Sequence, residues 1–399
     1  MKNLKLKRSL VLLLCLCMVG TMFLTSCGSK DPEEVSELPH NSLTGATEEE
    51  GYDTAAADQR VAAFVVENAP DARPQWGMDD ANYSPDILLQ GEVEGGITRT
   101  LWLYADYNKL PEQIGPMRSA RPPYIKFSEL FDSVFIHWGM SHTEGGYIGA
   151  NTVFKKDKVD HINQMKYAGE AELFGRDSSR NVSSEHTGVL YGDQVAAAIK
   201  GEGFREAPED YTKLYFQEPA PLSETSAKNV GVSYSSKSFE DTYWTYNEED
   251  GLYHTSDFEN DFTRDNLLVL YDDTEYITNA NYSGPGASSV TYCDYKFSGG
   301  KAQLFSKGTV KDIEWKVEDG KLILIDPDTD VETAIAANEE AFNAAKEAKE
   351  ETYEKPYVVV GAEEGEEAAS DAYVAQPLNK GKTWIGWISS NNGGKVSVS

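Results

Sequence analysis

The sequence is poor in cysteine, in positive charge and in long apolar runs, and each shortage excludes something. Four cysteines occur. Cys15 and Cys17 fall in an N-terminal apolar stretch and Cys27 just after it, which leaves Cys293 alone in the remainder. No disulfide can form within that remainder, so the fold must rest on its core. Cys293 lies between Tyr292 and Asp294 in a strand-like run and reads as a packing residue. Lysine and arginine total 36 against 66 aspartates and glutamates, a formal charge of −30. Such a chain has no general basic field for nucleic acid or anionic headgroups. Beyond the leader no apolar run approaches the roughly 20 residues of a membrane span. G-x-S-x-G, H-E-x-x-H, Walker and dinucleotide fingerprints are all missing. Gly201-Glu202-Gly203 lacks a preceding strand and a third glycine. His137 and His142 are five apart, off a common helix face and without a third ligand at motif spacing. No metal and no cofactor is expected.

What is present begins with an export signal. Lys2, Lys5, Lys7 and Arg8 precede an apolar core from Leu10 to Leu24, and Leu24-Thr25-Ser26-Cys27-Gly28 follows. This resembles a bacterial lipobox, which implies cleavage before Cys27 and lipidation of its sulfur. Residues 1–27 are therefore set apart from the fold. Removing residues 1–26 takes away four basic and no acidic residues, moving the formal charge from −30 to −34. The expected location is the outer face of the cytoplasmic membrane, held there by acyl chains.

Residues 28–59 are acidic and poor in apolar side chains, and read as a disordered tether. Residues 60–205 mix strand and helix patterns. Strands are expected at Val61–Glu67, Asp86–Val93, Thr98–Tyr107 and Ser133–Trp138. A helix is expected within Ser119–Asp132, its prolines in the first turn, and another at Gln194–Lys200 with a stop at Gly201. This stretch reads as an N-terminal α/β or α+β layered domain. Pro219 and Pro221 mark a linker over 206–222. Residues 223–390 carry short aromatic and β-branched runs about ten residues apart, with hairpin signals at Gly299-Gly300 and Asp319-Gly320, and read as a mainly β C-terminal domain. Within it, 331–378 looks inserted: an Ala/Glu/Lys-rich helix, then an acidic loop. Residues 391–399 are a tail.

The best candidate site is a set of arginines in turns between residues 64 and 122. Arg73, Arg99, Arg118 and Arg121 each sit by a turn-former or at an element's start, and Ser119 lies among them. Guanidinium presents a planar fork of donors suited to phosphate or carboxylate, and glycine-rich turns can add backbone N–H groups. The competing expectation is that each arginine pairs with a nearby acid. Asp71, Glu94 and His186 are supporting polar candidates. Glu185 and His186 are adjacent, which in a strand puts them on opposite faces. Trp76, Trp102, Trp138, Tyr243 and Trp244 read as core residues first and sugar platforms second.

Asn68-Ala69-Pro70-Asp71-Ala72-Arg73-Pro74-Gln75, Glu94-Gly95-Gly96-Ile97-Thr98-Arg99 and Gly115-Pro116-Met117-Arg118-Ser119-Ala120-Arg121-Pro122 resemble, in order and spacing, the YerB-like lipoproteins of Gram-positive bacteria. Arg176-Asp177, Arg180, His186, Trp244-Thr245-Tyr246-Asn247 and Gly381-Lys382-Thr383-Trp384-Ile385 extend the resemblance over most of residues 60–390. It implies an N-terminal α/β domain and a separate C-terminal domain, both of unassigned function. The family usually has His-Asn where this chain has His186-Thr187. The layout of the first stretch also resembles the LytR-CpsA-Psr glycopolymer transferases, without their characteristic motifs. The expected function is an envelope lipoprotein, non-enzymatic, whose arginine loops receive an anionic group from a wall polymer, a lipid-linked precursor or a protein partner. The alternative is an envelope enzyme, a glycopolymer phosphotransferase or a wall-glycan hydrolase.

Overall fold

The computed structural model describes residues 31–35, 38–80, 82–218, 220, 222–279, 288–362 and 368–399. The expected leader, its lipobox and Cys27 lie outside the described residues, as does the stretch 363–367 of the expected acidic loop. Strand outweighs helix, 36% to 17%, and is gathered into large sheets. The chain forms two compact units, a main one and a small one.

The main unit is built on a 12-stranded sheet. In chain order its strands are β1 (Ala62–Glu67), β2 (Ile87–Glu92), β3 (Thr98–Tyr104), β4 (Val134–His137), β5 (His161–Asn163), β6 (Asn266–Asp272), β7 (Gly300–Ser306), β8 (Thr309–Glu318), β9 (Lys321–Ile325), β10 (Val358–Val360), β11 (Tyr373–Ala375) and β12 (Thr383–Ser389). Across the sheet the order is β10-β11-β9-β8-β7-β6-β12-β2-β3-β1-β4-β5. Strand β12 is buried along its whole length. It runs parallel to β6 on one side and to β2 on the other. Strands from both sides of residues 206–222 therefore share one hydrogen-bonded sheet. Described residues of the expected linker pack on that body: Thr212 and Leu214 are buried, and Gln217 N–H donates to the Leu378 carbonyl.

The central strands are apolar on both faces, as strands covered on both sides must be. In β3, Leu101 and Leu103 enter one core while Trp102 and Tyr104 enter the other. Strand β12 divides likewise, Ile385 and Trp387 against Trp384 and Ile388. Helices α1 (Pro122–Glu129) and α2 (Ala150–Asp157) cover the first face through Tyr124, Phe127, Val153 and Phe154. Prolines 122 and 123 open α1, where the missing N–H costs nothing. Helix α3 (Val195–Glu202) covers the second face with Val195, Ala198 and Ile199. It stops at Gly203, in the left-handed region at φ 71°, and so runs past the stop expected at Gly201. A five-stranded sheet (Asn229–Ser233, Thr242–Asn247, Leu252–Thr255, Phe262–Arg264, Lys395–Val398) adds Val230, Trp244 and Tyr253 to that second core.

Three expectations need correction. Residues 40–59 are ordered: the Asn41 side chain accepts from the N–H groups of Leu43 and Thr44, and Leu43 is buried in the main core. A composition poor in apolar residues hid the few that anchor it. Gly299-Gly300 does not close a hairpin. The turn between β7 and β8 is Lys307-Gly308, both at positive φ, whereas Asp319-Gly320 does join β8 to β9. Within the expected insertion 331–378, Val358–Val360 and Tyr373–Ala375 do not stand apart from the main unit, because as β10 and β11 they extend its sheet.

The small unit comprises the described residues up to 35 together with Glu332–Tyr357. Helix α4 (Val331–Ala348) is the Ala/Glu/Lys-rich helix. Glu33–Glu34 pairs in parallel with Thr352–Tyr353, Phe342 meets Tyr353 edge-on at 5.3 Å, and Lys346 pairs with Asp31 at 2.5 Å.

Candidate functional site

The arginine set divides into a buried knot, a cleft residue and an outlier. The knot forms where the turn after β2 meets the segment leading into α1. Arg99, on β3, and Arg121, just before α1, converge on the Glu94 carboxylate. Arg121 Nε and Nη2 reach it at 2.8 and 2.5 Å, and Arg99 Nη2 at 3.0 Å. The Ser119 carbonyl accepts from Arg99 Nη1 at 2.8 Å and from Arg121 Nη1 at 3.4 Å, while the Ala120 carbonyl also accepts from Arg121. The side chains of Arg99 and Arg121 are 2% and 9% exposed. Burial by itself pushes the Glu94 carboxyl up, but Arg121 and Arg99 outweigh it and hold the group well below the usual carboxylate range. Two cations share one carboxylate, and the Ser119 and Ala120 carbonyls take further guanidinium donors in place of water. Both guanidinium groups are thereby turned inward, and Glu94, its side chain 19% exposed, keeps the wetter edge of the knot.

Arg118 points elsewhere. Its Nε lies 3.0 Å from buried Glu67 and its Nη2 2.9 Å from Glu185. Glu67 also meets His186 Nδ1 at 2.9 Å. Arg118 keeps 27% of its side chain exposed and lines a cleft of about 680 Å³. The walls include Trp138, Met140, Met165, Lys166, Arg176 and Glu185. Arg118, Lys166 and Arg176 thus face the cleft against one lining carboxylate. The Arg118 hydrogen bond comes first in holding the Glu185 carboxyl below its ordinary value. Arg176 stacks on the Trp138 ring at 4.6 Å and donates to the Ser184 carbonyl. Two glycines shape the cleft. Gly139 sits at φ 79°, where a Cβ would come 2.9 Å from the Ser119 hydroxyl, and a Cβ on Gly188 would meet the Trp138 ring at 2.9 Å.

The outlier is Arg73. It donates to the Asn68 carbonyl at 2.8 Å and to Glu240 at 2.6 Å, beside a second, smaller cavity lined by Gln90, Asp241 and Asp257. Asp71 is exposed in the turn Pro70–Ala72 and joins neither group. His186 stands behind Arg118. The Ser119 hydroxyl donates to the Trp138 carbonyl, fixing the turn. Each of the four arginines thus has a carboxylate partner, and only Arg118 reaches the large cleft.

His137 and His161 are joined at 3.0 Å, and His137 Nδ1 lies 2.6 Å from the Gly139 carbonyl. That carbonyl requires a proton on Nδ1, so His137 Nε2 accepts from His161. Burial pushes His137 down to about 3 and His161 to about 4, so both are neutral near pH 7. Burial also pushes the Cys293 thiol up. Among the expected aromatics, Trp102 and Trp244 are core, and Trp76 lies under Arg180 at 3.7 Å. Tyr243 is exposed. Chemically, Glu67, Glu94 and Glu185 are all ion-paired with guanidinium. Arg121 and Arg99 hold the Glu94 carboxyl, and Arg118 the Glu185 carboxyl, below the ordinary carboxylate range. Sequence reasoning missed Lys166, Met140 and Met165. They approach Arg118 only through the fold, and nothing in their spacing marks them.

Residues 43–205 match the family model described as "Protein of unknown function (DUF3048) N-terminal domain". The chain is 29% identical over 322 residues to "Putative lipoprotein YerB" of Bacillus subtilis (strain 168), covering 77% of this chain and 87% of that one. The crystal structure of the YerB protein from Bacillus subtilis superposes with a TM-score of 0.62 at 23% identity, covering 90% of this chain and 99% of that one, which shows a common fold. Among the described residues no helix is long and apolar enough to cross a membrane.

Proposed function

The chain belongs to the YerB-like lipoproteins, and on that footing we propose that it is a cell-envelope lipoprotein that binds rather than catalyses. Cys27 carries the lipid and holds the protein at the outer face of the cytoplasmic membrane. The cleft beside Arg118 receives an anionic group borne by a wall polymer, a lipid-linked precursor or a partner protein. One observation carries this reading: in a chain of net charge −30, three cations line a cleft of about 680 Å³ in which Glu185 is the one lining carboxylate. A concave site of several hundred Å³ is the usual size for a small ligand or the end of a larger one. The buried arginines Arg99 and Arg121 serve to hold the turn that presents Arg118 and Ser119.

The test is a calorimetric titration of the protein with a phosphodiester wall polymer at low ionic strength. Binding that weakens at least tenfold in a Lys166→Gln/Arg176→Gln variant supports the reading. Equal binding by the variant and the parent chain overturns the cleft as the site. Lipidation is tested separately by metabolic labelling with a radioactive fatty acid, where loss of label in Cys27→Ser is the expected result.

A further inference from the structure

The lining of the cleft includes apolar groups that an anion alone does not explain. Three methionines line it: Met117, Met140 and Met165. The chain has seven, of which Met1, Met18 and Met22 belong to the leader, so three of the four others meet at one place. They grade from buried Met117 through half-buried Met140 to Met165, which is 68% exposed. An exposed methionine at a cleft mouth is apolar surface left in water. Methionine is unbranched and polarisable, and it moulds itself to flexible apolar partners of varied shape. A bare aromatic face would instead suit a sugar ring, and the cleft does not offer one. Trp138 has its ring covered by the Arg176 guanidinium at 4.6 Å and meets the edge of Phe174 at 6.0 Å. The same lining holds Arg118, Lys166 and Arg176, with Glu185 the one lining carboxylate, which Arg118 pairs at 2.9 Å. Arg118 is also held by Glu67, so Lys166 and Arg176 are the lining cations without an ion pair among the described residues, and both can meet a phosphate head.

From this juxtaposition of thioethers and cations in the lining of one concave site, we infer that the ligand is a phosphorylated hydrocarbon chain. Its phosphate lies against Lys166, Arg176 and the free edge of Arg118. Its first methylenes lie along Met140 and Met165. This rests on the anion-receiving reading of the cleft and narrows the three carriers to a lipid-borne one. The size of the site agrees, since about 680 Å³ holds a head and a short length of chain rather than a protein face. The chain beyond that length would remain outside the cleft. A polyisoprenyl phosphate and an acyl phospholipid share this head-and-chain chemistry.

The experiment is a calorimetric titration of the full chain, held in a phosphorus-free maltoside detergent, with inorganic phosphate, methyl phosphate and octyl phosphate. Octyl phosphate should bind at least tenfold more tightly than methyl phosphate. A Met140→Gln/Met165→Gln variant should lose that advantage while binding methyl phosphate as the parent does. Lys166→Gln/Arg176→Gln should weaken every phosphate alike. Far-ultraviolet circular dichroism and thermal melts check that each variant is folded, and Met165→Gln alone, at an exposed position, serves should the double variant melt early. Octyl and methyl phosphates of equal affinity would overturn the lipid inference and leave the anion reading standing. Failure of all three phosphates to bind would overturn both. Farnesyl phosphate and dihexanoyl phosphatidic acid, compared in the same titration, separate the two sources: tighter binding of the first assigns an isoprenoid carrier, and of the second an acyl lipid.

Discussion

Arg121 and Arg118 are three residues apart, carry the same charge and have opposite fates. Arg121 is locked with Arg99 on Glu94, its side chain 9% exposed and its donors consumed within the protein. Arg118 balances two carboxylates yet keeps an exposed edge in a cleft with Lys166 and Arg176. The difference lies in what surrounds each guanidinium. Where water is excluded a carboxylate and backbone carbonyls must replace it around the cation, and the result is a structural clamp. Where one edge stays wet the cation can also meet a ligand. A cluster of arginines in sequence therefore signals two functions at once, a frame and the residue that the frame presents.

The sharpest way to break this comparison is to remove the centre of the knot. Glu94→Gln leaves two buried guanidinium groups without a charge partner and should cost about 3–5 kcal/mol of stability, measured by chemical denaturation at pH 7. A loss below about 1 kcal/mol would mean the knot is not a clamp. The same clamp has a pH signature. The folded-state pKa of Glu94 is depressed, so its contribution is complete above the ordinary carboxylate value near 4.3 and is lost as pH falls below it towards the folded value. The gap between parent and Glu94→Gln should therefore narrow from pH 7 to pH 3. A gap of constant size would contradict the ion-pair account.

Arg118→Gln comes next. It leaves buried Glu67 with His186 as its remaining side-chain partner and should cost about 1–3 kcal/mol, while also weakening anion binding. An unchanged melting temperature would show that Glu67 does not depend on Arg118. Glu129 offers the reverse of Glu94. Burial first, and then Asp157, pushes its carboxyl up to about 7. A raised carboxylate pKa means stability is lost as pH rises from the unfolded value through about 7, so Glu129→Gln should match the parent near pH 4 and exceed it at pH 8. Equal melting at both pH values would refute the shift. The smallest stability effect belongs to the cleft rim. Lys166→Gln and Arg176→Gln should each change stability by about 0.5 kcal/mol or less yet lower anion affinity, and added salt should shrink that binding difference. A large melting shift without a binding change would place these residues in the frame instead.

Much of this frame was legible in the residues. Val61–Glu67, Asp86–Val93 and Thr98–Tyr107 declare their strands through β-branched runs and alternation, and the glycine turn at 94–96 joins two of them as read. Pro122 and Pro123 mark the start of α1. What was not legible is long-range pairing. Nothing local announces that Thr383–Ser389 will lie between Ile87–Glu92 and Asn266–Asp272, since parallel register is set by burial on both faces rather than by a turn. The knot was half-visible, because Glu94 and Arg99 share a hairpin, while Arg121 reaches them across 27 residues. Arg73 carried the same signal as Arg118 and went to Glu240, a residue 167 positions away. Local spacing ranks candidate cations; burial, which the fold alone decides, sorts them.

The most direct test of the central claim follows the arginine Nε–H resonances by 15N nuclear magnetic resonance while octyl phosphate is added. Arg118 and Arg176 should shift in a saturable manner, with Arg99 and Arg121 unmoved. Saturable shifts of Arg99 and Arg121 with Arg118 and Arg176 silent would contradict the division of the arginines into clamp and cleft.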